Sequence, residues 1–210
     1  MTIAKSILNK AHGNLVFGRR VRVLAQLLSS EIPAGAQVLD VGAGDGSIAA
    51  AIASQRPDIK IEGIDVLIRP NTHIPVHLFD GEHIPLNDDS VDVVSLIDVL
   101  HHTTDPRVLM REAVRVSRHY VLIKDHLREG LFAGATLRIM DWVGNYGHDV
   151  VLPYNYLSAK GWRDVLKDTE LRPENWIENL GLYPFPFSIV FGRRLHFIAR
   201  LRAHPRSFDS

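Results

Sequence analysis

Three glycines alternate in Gly42-Ala43-Gly44-Asp45-Gly46, directly after an apolar run that ends on Asp40-Val41. Glycine lets the main chain turn tightly and lets a ligand approach the backbone with no Cβ in between. A helix beginning at Ser47 would aim its positive end at that ligand. A dinucleotide site asks for G-x-G-x-x-G with a pyrophosphate at the helix N-terminus. Here the spacing is G-x-G-x-G, with carboxylates at Asp40 and Asp45. Two acids oppose a pyrophosphate and suit a ligand with ammonium and hydroxyl groups and a positive sulfur. Asp65 closes the next apolar run, "IEGID", where it is placed to accept both hydroxyls of a ribose.

Proton chemistry has two candidate locations. "DVLHHTTD" carries Asp98, His101, His102 and Asp105, and "IKDHL" carries Lys124, Asp125 and His126. Histidine titrates near neutrality and can take a proton from a phenol or an acidic carbon. His126, Asp125 and His102 are the candidate catalytic residues. Asp125 and His126 need not face one side, because strand side chains alternate. A third segment, "MDWVGNYGHDVVLPYNYLS", mixes aromatic and amide groups that suit a flat or ring-bearing molecule. Asn145, Tyr146, His148, Tyr154 and Tyr156 are its candidate substrate-binding residues. His73 and His77 have the spacing of a helical metal pair, but Pro75 between them opposes a helix and no third ligand is evident. No metal is expected. Arg193-Arg194 beside "LYPFPF" reads as a solvated hairpin tip, with contact to an anionic membrane surface as the alternative.

The elements that must position these residues follow from periodicity. Residues 14–29 place Val16, Val23, Leu24, Leu27 and Leu28 at helical spacing, with Gly18 as a weak point. Strands are expected at 37–41, 60–65, 76–79, 91–97 and 120–125, with helices at 47–55 and 106–117. Pro106 suits a first helical turn behind Asp105 as cap. Strands alternating with helices indicate βαβ units and a mostly parallel sheet. Beyond residue 126 the pattern becomes a helix at 131–143, a Gly/Asn/Tyr-rich loop at 144–157, a helix at 158–168 capped by Ser158, and two strands within 174–201. The closing pair fits an antiparallel hairpin on a parallel sheet.

Bulk properties exclude several classes. The 210 residues suit one domain, and equal numbers of basic and acidic residues, 24 each, give no global attraction to nucleic acid. The absence of cysteine excludes disulfides and thiolate metal sites. No apolar stretch is uninterrupted enough for a signal peptide or a membrane span, so a soluble cytoplasmic protein is expected.

"VLDVGAGDGSIAAAI" resembles the first motif of class I S-adenosylmethionine-dependent methyltransferases. "DGEHIPLNDDSVDVVSLIDVLHHTTDPRVLMREAVRVS" resembles the later motifs of their type 11 subgroup, which includes quinone-biosynthesis enzymes. The resemblance covers about residues 36–126. It implies a Rossmann-like seven-stranded sheet, mostly parallel with an antiparallel C-terminal hairpin strand and helices on both faces. It also implies S-adenosylmethionine as methyl donor and a small-molecule or lipid-like acceptor, methylated on oxygen or carbon. By position, Gly42, Gly44 and Gly46 would line the methionine and ribose part, and Asp40 would organise the turn and the methionine amino group. Asp65 would hold the ribose, and Asp80, Gly81 and Glu82 would meet the adenine amino group. Val66, Leu67 and Ile84 would flank the ring, and Ile97 would floor the transfer site. Arg19, Arg20 and Arg22 on the first helix read as a solvated face, with one of them reaching the methionine carboxylate as the alternative. Within a single domain this divides the chain into an N-terminal helical segment (1–30), a cofactor-binding core (36–126), an acceptor-side insertion (127–172) and a closing hairpin (173–201). Two departures stand out. Pro70 and Pro75 oppose the helix that the family carries after the ribose acid, and "VSRHY" lacks the usual Pro-Gly-Gly. The competing classes are a NAD-type Rossmann oxidoreductase and a non-catalytic cofactor-binding module.

Overall fold

The computed structural model describes residues 3–145, 155–185, 187–192 and 194–203, and side chains within these ranges except at 3–16 and 141–145. Seven strands form one sheet: β1 (Gln37–Val41), β2 (Lys60–Asp65), β3 (Val76–Leu78), β4 (Val91–Ile97), β5 (Ser117–His126), β6 (Arg172–Glu178) and β7 (His196–Arg202). Their order is β3-β2-β1-β4-β5-β7-β6. The pairs β1–β2, β1–β4, β2–β3 and β4–β5 are parallel, and β7 runs antiparallel to both β5 and β6. The order reverses between β1 and β4, which opens a crevice beyond their carboxyl ends.

The central strands β1, β4, β5 and β7 are buried on both faces because alternate side chains feed two cores. Leu39, Val94, Leu96, Val121 and Ile123 pack with Leu109, Met110 and Ala113 of α3 (Pro106–Val116) and with Trp162, Val165 and Leu166 of α5 (Ala159–Asp168). Val38, Val93, Leu122 and Ile198 pack on the other face with Leu24, Leu28 and Ile32. Leu24 and Leu28 lie in α1 (Ile3–Glu31), which packs against α2 (Ser47–Gln55). The expected caps are present: Asp105 accepts from the Arg107 amide and Ser158 from the Gly161 amide.

α1 is longer than its periodicity predicts and runs through Gly18 without a break. Tertiary packing on α2 and on the sheet outweighs glycine's cost of about 1 kcal/mol. β5 extends on both sides of the predicted 120–125, because β4 and β7 supply ladder partners along it. Between β2 and β3 no helix forms, as Pro70 and Pro75 require. That loop instead folds back on the glycine turn, with the His73 amide donating to the Asp45 carbonyl at 2.8 Å. α4 (Ala133–Asn145) follows β5, and a short helix α6 (Ser188–Phe191) sits in the connection between β6 and β7. Among the described residues no helix is long and apolar enough to cross a membrane.

Candidate functional site

β1 delivers the chain into a turn that only glycine accommodates. Gly42 has φ +73°, and a Cβ there would lie 2.4 Å from the Val99 side chain. Gly44 has φ +61°, and a Cβ would meet nothing within 4 Å, because that position faces an open cavity. The cavity holds about 520 Å³ and lies beyond the carboxyl ends of β1, β2 and β4. Gly42, Gly44, Asp65, Val66, Leu67, Asp80, Gly81 and Glu82 line one side of it, and Asp98, Val99, His102 and Thr103 the other. Asp65 accepts from the Gly44 amide at 2.7 Å and from the Leu67 amide at 3.0 Å. Asp80 accepts from the amides of Glu82 and His83 at 2.8 and 2.6 Å, which holds its carboxyl below the usual range.

Asp40 lies beneath the turn rather than in the cavity, buried and bonded to the Ser95 hydroxyl at 2.7 Å. Burial pushes its carboxyl up to about 7, and the charge of Asp65 adds to the rise against the Ser95 bond. Asp45, just ahead of the N-cap of α2, accepts from the Ser47 amide at 3.0 Å. Against burial, its bonds from Ser47 hold it below the usual carboxylate range.

A second arrangement adjoins the cavity through Asp98 and His102. Asp98 follows β4 with φ +58°, a backbone conformation uncommon outside glycine. Its carboxylate is paired with Arg20 of α1 and with Lys124 of β5. Burial works to raise the Asp98 pKa, but Lys124 and Arg20 outweigh it and hold the group well below 3.8. Lys124 is itself buried, which lowers its pKa against the pull of Asp98. Its Nζ lies 3.4 Å from Nδ1 of His196, the first residue of β7. Neighbouring Asp125 is fully buried and receives the Leu100 amide (3.0 Å), the His126 amide (2.6 Å) and the His101 ring Nδ1 (2.7 Å). Against burial, His101 and His126 hold Asp125 below the carboxylate range.

His126 completes this group. Its Nδ1 faces inward, 3.3 Å from His101 Nδ1 and 3.7 Å from Asp98 Oδ1, while the Trp162 indole donates to its carbonyl at 3.0 Å. Burial, with Lys124 beside it, pushes His126 down to about 4, so the ring is neutral at pH 7. His196 is pushed well below 6.5 by burial and by the same lysine. Asp98, His101 and His126 offer ligand atoms close enough for a metal ion. Lys124 already occupies the carboxylate of that group and adds a positive charge, which disfavours a cation there.

The predicted residues therefore divide. Gly42, Gly44, Asp65, Val66, Leu67, Asp80, Gly81, Glu82 and His102 come together at the cavity. Gly46 caps α2 just behind it. Ile84 and Ile97 are buried in the two cores, and Asp98 and Val99 stand at the cavity where Ile97 was expected. Tyr156 is buried against Leu137 and Leu195, its hydroxyl on the Leu137 carbonyl at 3.2 Å, and its ring backs His101 and His126. Asn145 ends α4, with a side chain outside the described ones. Tyr146, His148 and Tyr154 lie outside the described residues. Arg20, singled out only as one of three helix arginines, reaches Asp98. His196 and Tyr183 have no place in the sequence reading. The Tyr183 ring lies 5.9 Å from that of His196, and burial pushes its phenol up to about 12. One signal did point here: Lys124 interrupts the otherwise apolar "YVLI" run of β5.

A family model described as a methyltransferase domain matches residues 16–174. Over 160 residues the chain is 30% identical to an uncharacterised methyltransferase of Mycobacterium sp., covering 72% of this chain and 58% of that protein. Over 162 residues it is 26% identical to a ubiquinone biosynthesis O-methyltransferase of Sodalis glossinidius, covering 68% of this chain and 63% of that one. The chain thus spans less than two thirds of the length of these curated relatives. Among solved structures, an S-adenosylmethionine-dependent methyltransferase of Thermotoga maritima, described as a possible histamine N-methyltransferase, matches with a TM-score of 0.66 at 17% identity, over 95% of this chain and 97% of that one. Another from Aquifex aeolicus matches with a TM-score of 0.61 at 19% identity, over 88% and 93%. At such identities the likeness is one of fold.

Proposed function

The chain belongs to the class I S-adenosylmethionine-dependent methyltransferases, and on that premise we propose that it methylates a small-molecule or lipid-like acceptor on oxygen or carbon. The observation that carries this reading is the position of Asp65 at the cavity. Each of its carboxylate oxygens already accepts one backbone amide. A carboxylate oxygen has room for a further donor, so two adjacent ribose hydroxyls can be held at once. Asp80 and the Val66–Leu67 pair lie on the same side of the cavity, a polar and an apolar surface for a purine. The open space over Gly44 fits a ligand lying against bare backbone. When bound, S-adenosylmethionine supplies a methyl group on a positive sulfur, an electrophile that needs chiefly an aligned nucleophile.

The residues at the other side of the cavity suit the acceptor. Asp98, held anionic by Arg20 and Lys124, places negative charge at the rim. His126, neutral at pH 7, stands behind that rim with its Nδ1 3.7 Å from Asp98 Oδ1. It is the proposed base for an acceptor that arrives protonated. Asp125 and His101 act as positioning residues, since all the contacts of Asp125 are internal and fix both rings. His102 lines the cavity as part of the cofactor's wall.

Calorimetric titration and thermal melting test the donor. S-adenosylhomocysteine should bind and raise the melting temperature, and NAD should do neither. Stabilisation by NAD alone would sink the reading in favour of an oxidoreductase.

A further inference from the structure

The connection from β6 to β7 has two opposed faces. Its inner face is anchored: Leu180 and Leu182 are buried in the core, and Tyr183 packs beside His196. Its outer face displays Phe185 at 80% exposure and, from α6, Ile189 at 64% and Val190 at 47%. A second apolar prong leaves the same end of the sheet. The Leu127 amide donates to the Leu195 carbonyl at 2.9 Å, so the chain after β5 emerges beside the chain entering β7. Five residues on, Phe132 is 79% exposed with φ +61°. Phe132 opens α4, its carbonyl accepting from the Thr136 amide at 2.9 Å, and its ring stands outward from that left-handed turn.

Charge says what such a surface meets. From Asn179 to Leu195 there is no acidic residue, and Arg193-Arg194 close the segment. The side chain of Arg194 is 71% exposed beside Glu178. Arg19 of α1, also exposed, donates to the Gly181 carbonyl at 3.1 Å and so stands at the foot of the same loop. In a chain with no net charge, the loop that carries Phe185, the most exposed phenylalanine among the described residues, thus has arginine at its foot and at its end. A second copy of the chain is disfavoured as the occupant, because a two-fold contact would bring these arginines face to face. Apolar side chains ringed by arginine match the acyl boundary and headgroups of an anionic bilayer.

We propose that Phe185, Ile189, Val190 and Phe132, with Arg19 and Arg194 around them, form a surface that rests on an anionic lipid bilayer without spanning it. It faces the membrane at the end of the sheet where Asp98 and His126 lie. The proposal stands independently of the methyl-transfer reading.

Co-sedimentation with vesicles tests it. The protein should partition onto vesicles of phosphatidylcholine mixed with phosphatidylglycerol about tenfold more strongly than onto phosphatidylcholine alone, with the difference reduced by salt. The double variant F185S/I189S should lose about tenfold in partitioning, and Arg194→Glu should remove much of the preference for the anionic vesicles. Both variants should keep the wild-type melting temperature and the wild-type shift with S-adenosylhomocysteine. Absence of wild-type partitioning, or equal partitioning by wild type and the double variant, overturns the proposal. So does a wild-type dimer in sedimentation velocity that the double variant abolishes, since a second copy would then cover the face. Vesicle binding without any response to S-adenosylhomocysteine would leave this proposal standing and remove the donor assignment instead.

Discussion

The turns after β1 and β2 line one side of the cavity, and Asp98 at its other side leads into a buried group on β5 and β7, yet the two are built differently. On the first side the work is done by backbone. Gly42 and Gly44 clear space, and Asp65 and Asp80 are fixed by amides two or three residues away or in the adjacent turn. On the second side the work is done by side chains from distant segments: Arg20, Asp98, Lys124, Asp125, His126 and His196, mutually bonded and mostly buried. A backbone cradle tolerates change in the surrounding side chains, whereas a buried ionic group depends on every member. The first side should therefore fail in binding when altered, and the second in stability.

Lys124→Met tests the sharper half of that contrast. It leaves Asp98 with Arg20 as its remaining partner, and losing one member of a buried pair costs about 3–5 kcal/mol. Urea denaturation should show that loss, while affinity for S-adenosylhomocysteine stays within about threefold of wild type in the folded protein. Unchanged stability would mean that the two sides do not differ as described.

The two sides should also respond oppositely to pH. Asp40 has its pKa raised from 3.8 to about 7, so the folded chain holds a proton that the unfolded chain releases. That favours the folded state at low pH, and the advantage is lost as pH rises from about 4 to 7. His126 has its pKa lowered from 6.5 to about 4, so the unfolded chain takes up a proton that the folded chain refuses. Its contribution turns unfavourable as pH falls from 6.5 to 4. Relative to wild type, Asp40→Asn should gain up to about 4 kcal/mol between pH 4 and 7, and His126→Asn up to about 3 kcal/mol between pH 6.5 and 4. Denaturation curves across that range should cross in opposite directions, and parallel curves would remove one or both shifts.

Asp65→Ala carries the smallest free-energy change and the most selective one. Loss of two charge-assisted hydrogen bonds should weaken S-adenosylhomocysteine about a hundredfold, or ~2.7 kcal/mol. Calorimetry that finds unchanged affinity would place the ribose elsewhere.

How far the sequence announced each side follows from the same contrast. β1, α2, β2 and β4 begin and end where periodicity and caps place them, because their signals are local. The glycine turn and Asp65 are legible for that reason. The second side was half visible: Asp98, Asp125 and His126 sit at strand ends, where ligands gather, but nothing local to Arg20 or His196 announces that they converge on Lys124. His196 is the register partner of His126 on the neighbouring strand, a pairing that exists only once β7 has joined β5. The expectation that Ile97 floors the cavity missed because the chain reaches the rim one residue later, at an Asp98 whose φ is positive.

The sheet order also separates the two halves along the chain. β7 is the last strand in the described chain, yet it lies between β5 and β6. Until it arrives, β6 has no neighbour and the outer edge of β5 is unpaired. The parallel half can close earlier, since β1, β2, β3 and β4 are all complete before β5 begins. The glycine cradle can thus form while Lys124, Asp125 and His126 still stand at an open edge. Along the chain the binding half is thus complete first, and the buried charges are enclosed only by the strand that comes last among the described ones.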